Sequence, residues 1–332
     1  MSQVTSLIRK LRSRRSRTTW EKKTLQERQQ AATTNFAEAT AAGCPSIYWT
    51  GEPTDCNQLS TPLSTTTSPV QLRSSLCTEH QLGCPAFRYW AQQIRQDWCL
   101  HRKLWEFCFV LQALYERDML RQGRRGLGFA VGSEPLPDLM ASLGCQIMAT
   151  DLDAQDSRSQ VWEATGQLAA GLQGLNVRQI CPPELFSQRV SFRAVDMNHI
   201  PADLREFDFS WSSCSFEHCG SIELGARFLR EQMKCLKPGG VAVHTTEYNL
   251  SSVSQTISRG TTVIFRRGDI EQLIRQLQAD GHSVEPLQLD PGNSTDDFAI
   301  DFFPYSDEPH LKLELFGQYI STSVALIIRK AA

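Results

Sequence analysis

No run of apolar residues in this sequence approaches the roughly 18 needed for a membrane-spanning helix. The longest near the end, Val324-Ala325-Leu326-Ile327-Ile328, has the length of a strand, so helical insertion into a membrane is not expected. An apolar export core is missing as well, and no two of the 11 cysteines form a Cys-x-x-Cys pair. An odd number of scattered cysteines without an export signal reads as reduced thiols in a cytoplasmic protein, not as a disulfide framework. Two groups, Cys77, His80 and Cys84, and Cys214, His218 and Cys219, are close enough to be read as metal ligands. Neither has zinc-finger spacing or a second half, and no metal is expected.

Net charge is also scarce, 34 Lys and Arg against 36 Asp and Glu, but it is unevenly placed. Residues 1–35 carry nine basic side chains against Glu21 and Glu27, a net of +7, which leaves −9 on residues 36–332. A body of that sign binds phosphate backbones poorly, so nucleic acid is disfavoured as a partner except through the tail. The tail reads as a solvated, partly helical extension, although few acids among many Arg, Ser and Thr would also suit an organelle transit peptide.

What the chain does have is enough apolar material, 41% of 332 residues, for one large domain or two small ones. Residues 36–78 are rich in Ser, Thr and Pro and lack an apolar period, which predicts a linker or arm. Residues 79–122 place Phe87, Trp90, Ile94 and Trp98, then Trp105, Cys108, Leu111, Tyr115 and Met119, at helical spacing. One long or two consecutive helices are expected there, covering the next domain. From residue 123 to 332 strands and helices alternate, the pattern of a parallel sheet with crossover helices. Strands are predicted at Gly126–Val131, Cys145–Thr150, Val190–Ala194, Phe207–Trp211, Val241–Thr245 and Tyr319–Arg329. A helix is expected from Pro135 to Leu143, another through Ile222, Ala226, Leu229, Met233 and Leu236, stopped by Pro238-Gly239-Gly240. A third spans Asp269–Asp280, with Asp269 and Gln272 as its capping box.

The chemistry centres on Gly128-Phe129-Ala130-Val131-Gly132-Ser133-Glu134-Pro135, where the first strand of this unit gives way to a helix. Glycines allow a tight turn and close approach of a ligand to the backbone. Asp151, 19 residues beyond Gly132 at the end of the next strand, can accept both hydroxyls of a ribose. The helix start then discriminates among adenosine cofactors. Pro135 and Pro137 remove amide donors that a pyrophosphate needs, and Glu134 adds a negative charge beside them. A ligand with an ammonium and a sulfonium suits that site better, and S-adenosylmethionine offers both. Asp196 can accept from the exocyclic amine of adenine, with Met197 covering the ring.

Gly loop, Asp151, Asp196, Glu217-His218 and Leu236-Lys237-Pro238-Gly239-Gly240, in this order over residues 123–332, resemble the class I S-adenosylmethionine-dependent methyltransferases. His101-Arg102-Lys103-Leu104-Trp105-Glu106, Gly126-Leu127-Gly128-Phe129, Glu134-Pro135-Leu136-Pro137, Trp211-Ser212-Ser213-Cys214 and His310-Leu311-Lys312-Leu313 are more narrowly similar to a bacterial subgroup associated with glycan assembly, reaching back to about residue 85. The resemblance implies an α/β, Rossmann-like sheet of seven strands with the last antiparallel and inserted between the fifth and sixth, preceded here by the helical extension. It adds Leu152 and Ser212 to the expected cofactor contacts. Ala130 stands where the loop commonly has a middle glycine, and Gly126 where an acid is common, which leaves Glu134 or waters to hold the methionine ammonium.

The expected function is methyl transfer to a hydroxyl or amine of a sugar, glycan or other small molecule, with substrate over the carboxyl ends of the strands. His218 is the candidate base, with Glu217 orienting it or touching the acceptor, and His244 with Glu247 is the reserve pair. Gln160–Asn176 and Ser251–Thr262 are candidate acceptor walls, with Trp162, Thr165, Gln167, Asn176, Asn249 and Ser252 as their polar and aromatic lining. Two other readings stay open: an RNA methyltransferase that uses the basic tail, and a non-catalytic binding module. The oligomeric state is open too.

Overall fold

The structure is a computed structural model that describes residues 54–62, 71–306 and 308–332; the basic tail 1–35 lies outside them. Strands are β1 (Ser74–Leu76), β2 (Arg125–Gly128), β3 (Gln146–Asp151), β4 (Val190–Ala194), β5 (Phe207–Ser213) and β6 (Leu236–Asn249). They continue with β7 (Ser283–Val284), β8 (Leu287–Gln288), β9 (Ile300–Asp301), β10 (Lys312–Leu315) and β11 (Tyr319–Arg329). Helices are α1 (Glu79–Gly83), α2 (Pro85–Gln93), α3 (Arg102–Glu116), α4 (Leu136–Ser142), α5 (Gln160–Ala164), α6 (Pro183–Arg189), α7 (Ile222–Gln232) and α8 (Arg267–Ala279).

The apolar strands of the second half pair in the order β4-β3-β2-β5-β6-β11. The first five are mutually parallel, as in Gly128↔Ala149 and Ser213↔Thr245, and β11 runs antiparallel to β6, as in Val324↔Thr246. Strands such as Phe207–Ser213 are buried on both faces because helices cover both. Trp105, Leu111, Met140, Phe186, Phe209 and Trp211 belong to the core on one face; Phe228, Leu229, Ile270, Leu273 and Leu326 belong to the core on the other.

Among the described residues the sheet has 11 strands, not seven. Three of the added ones, β8, β9 and β10, are only two to four residues long. The fourth, β1, comes from the segment read as a linker. It lies between β11 and β8, pairing Ser75 with Ala325 antiparallel and with Gln288 in parallel. A Ser-Ser-Leu strand carries no alternating pattern, and all three residues are buried, so only its distant partners define it. Pro238-Gly239-Gly240 does not stop a helix before a new strand. The helix ends at Gln232, a short 3-10 turn follows, and β6 already begins at Leu236, with the Pro-Gly-Gly residues forming an irregularity between the pairs Phe207↔Leu236 and Phe209↔Val241. On α8 the cap shifts by three residues: Arg266 is the N-cap, and its amide and guanidinium both donate to Asp269. Among the described residues no helix is long and apolar enough to cross a membrane.

Candidate active site

The carboxyl ends of β2, β3 and β5 open onto a cavity of about 370 Å³. Its wall includes Ala130, Gly132, Glu134, Pro135, Asp151, Leu152, Asp196, Met197 and His218, nine of the residues picked from the sequence. The loop after β2 is folded as tightly as its glycines allow. Ala130 has φ 48° and Gly132 φ 52°, both left-handed. A Cβ on Gly132 would stand 2.4 Å from the carbonyl oxygen of Gln167, so no other residue fits there.

Asp151 organises this loop. Its carboxylate accepts from the backbone amides of Gly132 (3.0 Å), Ala169 (3.0 Å) and Leu152 (2.8 Å), tying three segments around the cavity. Burial nevertheless raises its pKa, with the amide bonds opposing. Asp196 accepts from the Asn198 amide at 2.8 Å and the Arg158 guanidinium at 2.9 Å. Glu134 is 9% exposed and accepts 2.5 Å from the Trp211 indole. Burial pushes its pKa up to about 8, only partly countered by that hydrogen bond.

His218 donates from Nδ1 to the Thr261 carbonyl at 2.8 Å, with Thr262 Oγ1 3.2 Å from the same nitrogen. A carbonyl only accepts, so the neutral ring carries its proton on Nδ1 and leaves Nε2 as the basic nitrogen. Burial lowers the pKa of this ring, and Trp162 packs against it at 4.4 Å between centroids.

Five expected residues are not in the cavity wall. Gly128 is a packing glycine: a Cβ there would meet Trp211 at 2.4 Å. Ser212 and His244 bond each other at 2.8 Å, completely buried. Strand alternation sends them to the face opposite Trp211, where His244 meets Phe228 edge-on. Burial takes His244 down to about 3, unsuited to receive a proton there. Glu247 is gripped by both guanidinium nitrogens of Arg102 and by Ser321 Oγ at 2.5 Å. Glu217 accepts from Thr246 Oγ1 at 2.9 Å, and burial, then the charge of Glu247, raises it to about 8. Cys214, Glu217 and Glu247 bring possible ligand atoms within 4.8 Å of one another. Each of the three is already hydrogen-bonded within the protein.

Of the six residues proposed to line acceptor walls, only Trp162 and Gln167 reach the cavity. Asn176 instead closes a turn onto Cys181, and Asn249 accepts the Ser251 and Ser252 amides. The sequence reading missed Lys103 and Phe107, which α3 contributes to the wall, and Arg178. The signal for the first two was their four-residue spacing, which puts both on one helix face.

Residues 127–244 match the family model for a methyltransferase domain. No curated protein sequence matches the chain. Among solved structures, the chain is similar to an S-adenosylmethionine-dependent methyltransferase from Mesorhizobium loti (16% identity over 66% of this chain and 96% of that one, TM-score 0.41). A second is an S-adenosylmethionine-dependent methyltransferase from Clostridium acetobutylicum (13% identity, 74% and 97%, TM-score 0.41). A third is Haemonchus contortus phosphoethanolamine N-methyltransferase 2 in complex with S-adenosyl-L-methionine (15% identity, 74% and 57%, TM-score 0.42). The chain spans 60% of the length of a Galdieria sulphuraria relative in this set.

The walls of the cavity fit S-adenosylmethionine by their own chemistry. Glu134 is a carboxyl whose pKa burial raises, with the Trp211 indole and the charge of Lys103 only partly opposing, and a ligand ammonium beside it would favour its charged form. The left-handed backbone at Ala130 and Gly132 and the double-proline helix start leave no row of amides for a pyrophosphate.

Proposed function

We propose that the chain transfers a methyl group from S-adenosylmethionine to a hydroxyl or amine of a small-molecule acceptor, with sugars and glycans as the first class to test. The observation that supports it best is His218, a neutral imidazole of fixed tautomer in the wall that also holds the Gly132–Pro135 turn, Asp151 and Asp196.

The residues divide the work. Asp151 and the loop it ties, with Asp196 and Met197, would hold the adenosine half; Glu134 would hold the ammonium. The cofactor supplies an electrophilic methyl on sulfur. His218 Nε2 takes the proton of the acceptor, raising its nucleophilicity as the methyl arrives. Burial keeps this ring neutral at physiological pH, so the base needs no prior deprotonation. Alignment of acceptor and methyl contributes the remainder, and Phe107 and Trp162 flank the cavity where an acceptor ring could rest.

The test is a product mass increase of one methyl group against a panel of sugars, nucleotide-sugars, phenols and small amines, with S-adenosylhomocysteine formed in equal amount. Turnover with RNA alone, lost when residues 1–35 are removed, would replace this reading with a nucleic-acid one. Absence of turnover with every class would leave a binding module.

A further inference from the structure

Lys103, Arg158 and Arg178 bring positive charge to the cavity wall, and the first two spend it on carboxylates of the chain. Lys103 donates to Glu106 at 2.7 Å and to the Ser213 carbonyl at 3.2 Å; Arg158 donates to Asp156 at 2.6 Å and to Asp196 at 2.9 Å. Arg178 differs. Its Nη1 donates to the Ile94 carbonyl at 2.8 Å and to Gln96 Oε1 at 3.2 Å, both neutral acceptors. Among the described residues no carboxylate pairs with it, and its Nε–Nη2 edge carries no hydrogen bond. That edge is the fork with which a guanidinium grips a carboxylate or phosphate through two parallel bonds.

The fork is held in place before any ligand arrives. Left-handed Asn176 (φ 54°) and Gln179 (φ 51°) bracket a tight turn, which the Asn176 side chain pins to the backbone of Cys181 by two bonds. Arg95 Nη1 donates to the Arg178 carbonyl at 2.8 Å. Because Ile94 and Gln96 lie in the connection from α2 to α3, Arg178 is fastened to the same helical cap that supplies Lys103 and Phe107 to the wall. Burial lowers the pKa of this half-buried guanidinium, opposed by the charge of Asp138, whose own carboxyl oxygens have no hydrogen-bond partner among the described residues. The carboxylate of S-adenosylmethionine has a nearer cation. It shares a carbon with the ammonium assigned to Glu134, and the cation whose charge acts on Glu134 is Lys103.

Building on methyl transfer as the activity of this cavity, we propose that Arg178 anchors the acceptor: the small molecule methylated here carries a carboxylate or phosphate, as a uronic acid or a sugar phosphate does, and the Nε–Nη2 fork holds that anion. Phe107 and Trp162 then flank the ring of the same molecule.

The test titrates the full-length chain, loaded with S-adenosylhomocysteine, with glucose, glucuronate and inorganic phosphate, and separately measures methylated product from neutral and acidic sugars. Glucuronate or phosphate should bind where glucose does not, and which of the two binds tells carboxylate from phosphate. Arg178→Gln should weaken that binding about 10- to 100-fold, the scale of hydrogen bonds between charged groups. Arg178→Lys should recover part of it, and both variants should hold S-adenosylhomocysteine as the wild type does. Glucose bound as well as the anions, or neither anion bound, would overturn the proposal; this wild-type comparison decides even if a variant fails to fold. Loss of S-adenosylhomocysteine affinity in Arg178→Gln would also overturn it, giving the guanidinium to the carboxylate of the cofactor. Methylation of neutral sugars without preference for acidic ones would remove the anchor and leave methyl transfer standing, whereas anion binding with no methylated product in any class would keep the anchor and remove methyl transfer.

Discussion

Glu134 is a carboxyl that folding has made a weak acid. With a pKa of about 8 it is mostly protonated at pH 7, and a ligand ammonium beside it would favour the charged form. Binding of S-adenosylhomocysteine at pH 7 should therefore release a fraction of a proton, seen as a dependence of the calorimetric enthalpy on buffer ionisation heat. Glu134→Gln should abolish the release and weaken binding by about 1–3 kcal/mol. No buffer dependence in the wild type would place the ammonium elsewhere. His218 and His244 separate in the same manner. His218→Ala should lower turnover about a hundred- to ten-thousandfold with cofactor affinity nearly intact. His244→Ala should reduce stability and leave the chemistry of the remaining folded enzyme nearly unchanged, because its ring meets Phe228 and not the cavity. The residue types of the site were legible where the chain itself turns, as at Gly132, Asp151 and His218. They were misread where only strand parity decides: Ser212 and Ser213 look alike in sequence, and one faces the cavity while its neighbour faces His244.

At the scale of elements, the loop after β2 carries its own strain. Ala130 holds φ 48°, a conformation that costs an L residue about 1–2 kcal/mol. Ala130→Gly should stabilise the protein by about 0.5–1 kcal/mol in denaturant unfolding, less what glycine adds to unfolded-chain freedom. Gly132→Ala should do the opposite and abolish cofactor binding, because the Gln167 carbonyl cannot move 1 Å without breaking its turn. Helix α3 was visible from its aromatic spacing, but its docking was not, since the pair that anchors it joins residues 145 apart. Arg102 grips Glu247 in that pair. Arg102→Met should cost about 3–5 kcal/mol by stranding a buried carboxylate. Double replacement with Glu247→Gln should recover part of it. Likewise Gly126, unexpected against the family pattern, has a packing reason: a Cβ there would stand 2.4 Å from the Phe209 ring.

The whole molecule should respond to pH through its buried acids. Glu134 and Glu217 at about 8 and Asp138 at about 7 keep protons that the unfolded chain releases near 4. Their contribution to stability is thus present at low pH and lost as pH rises through 7–8. Buried His244, at about 3, and His101, at about 4, work the other way, adding stability as pH rises toward 6.5. Between pH 6.5 and 8 these carboxyls outweigh the fading contribution of the histidines, so unfolding free energy should fall, by up to about 1.4 kcal/mol per pH unit for each titrating group. A flat profile there would contradict the burial of those acids. Chain length matters too: a protein starting at residue 79 lacks β1 and should lose cooperative unfolding, whereas one starting at residue 54 should keep it. The general α/β plan was readable from apolar periodicity alone; the insertion of β1 beside β11 was not, because pairing across about 250 residues leaves no local pattern. The most direct measurement is calorimetric titration of the full chain with S-adenosylhomocysteine and, separately, with NAD. The account predicts saturable binding of the first, weakened by Asp151→Ala, and none of the second. Micromolar binding of NAD with no response to S-adenosylhomocysteine would contradict it.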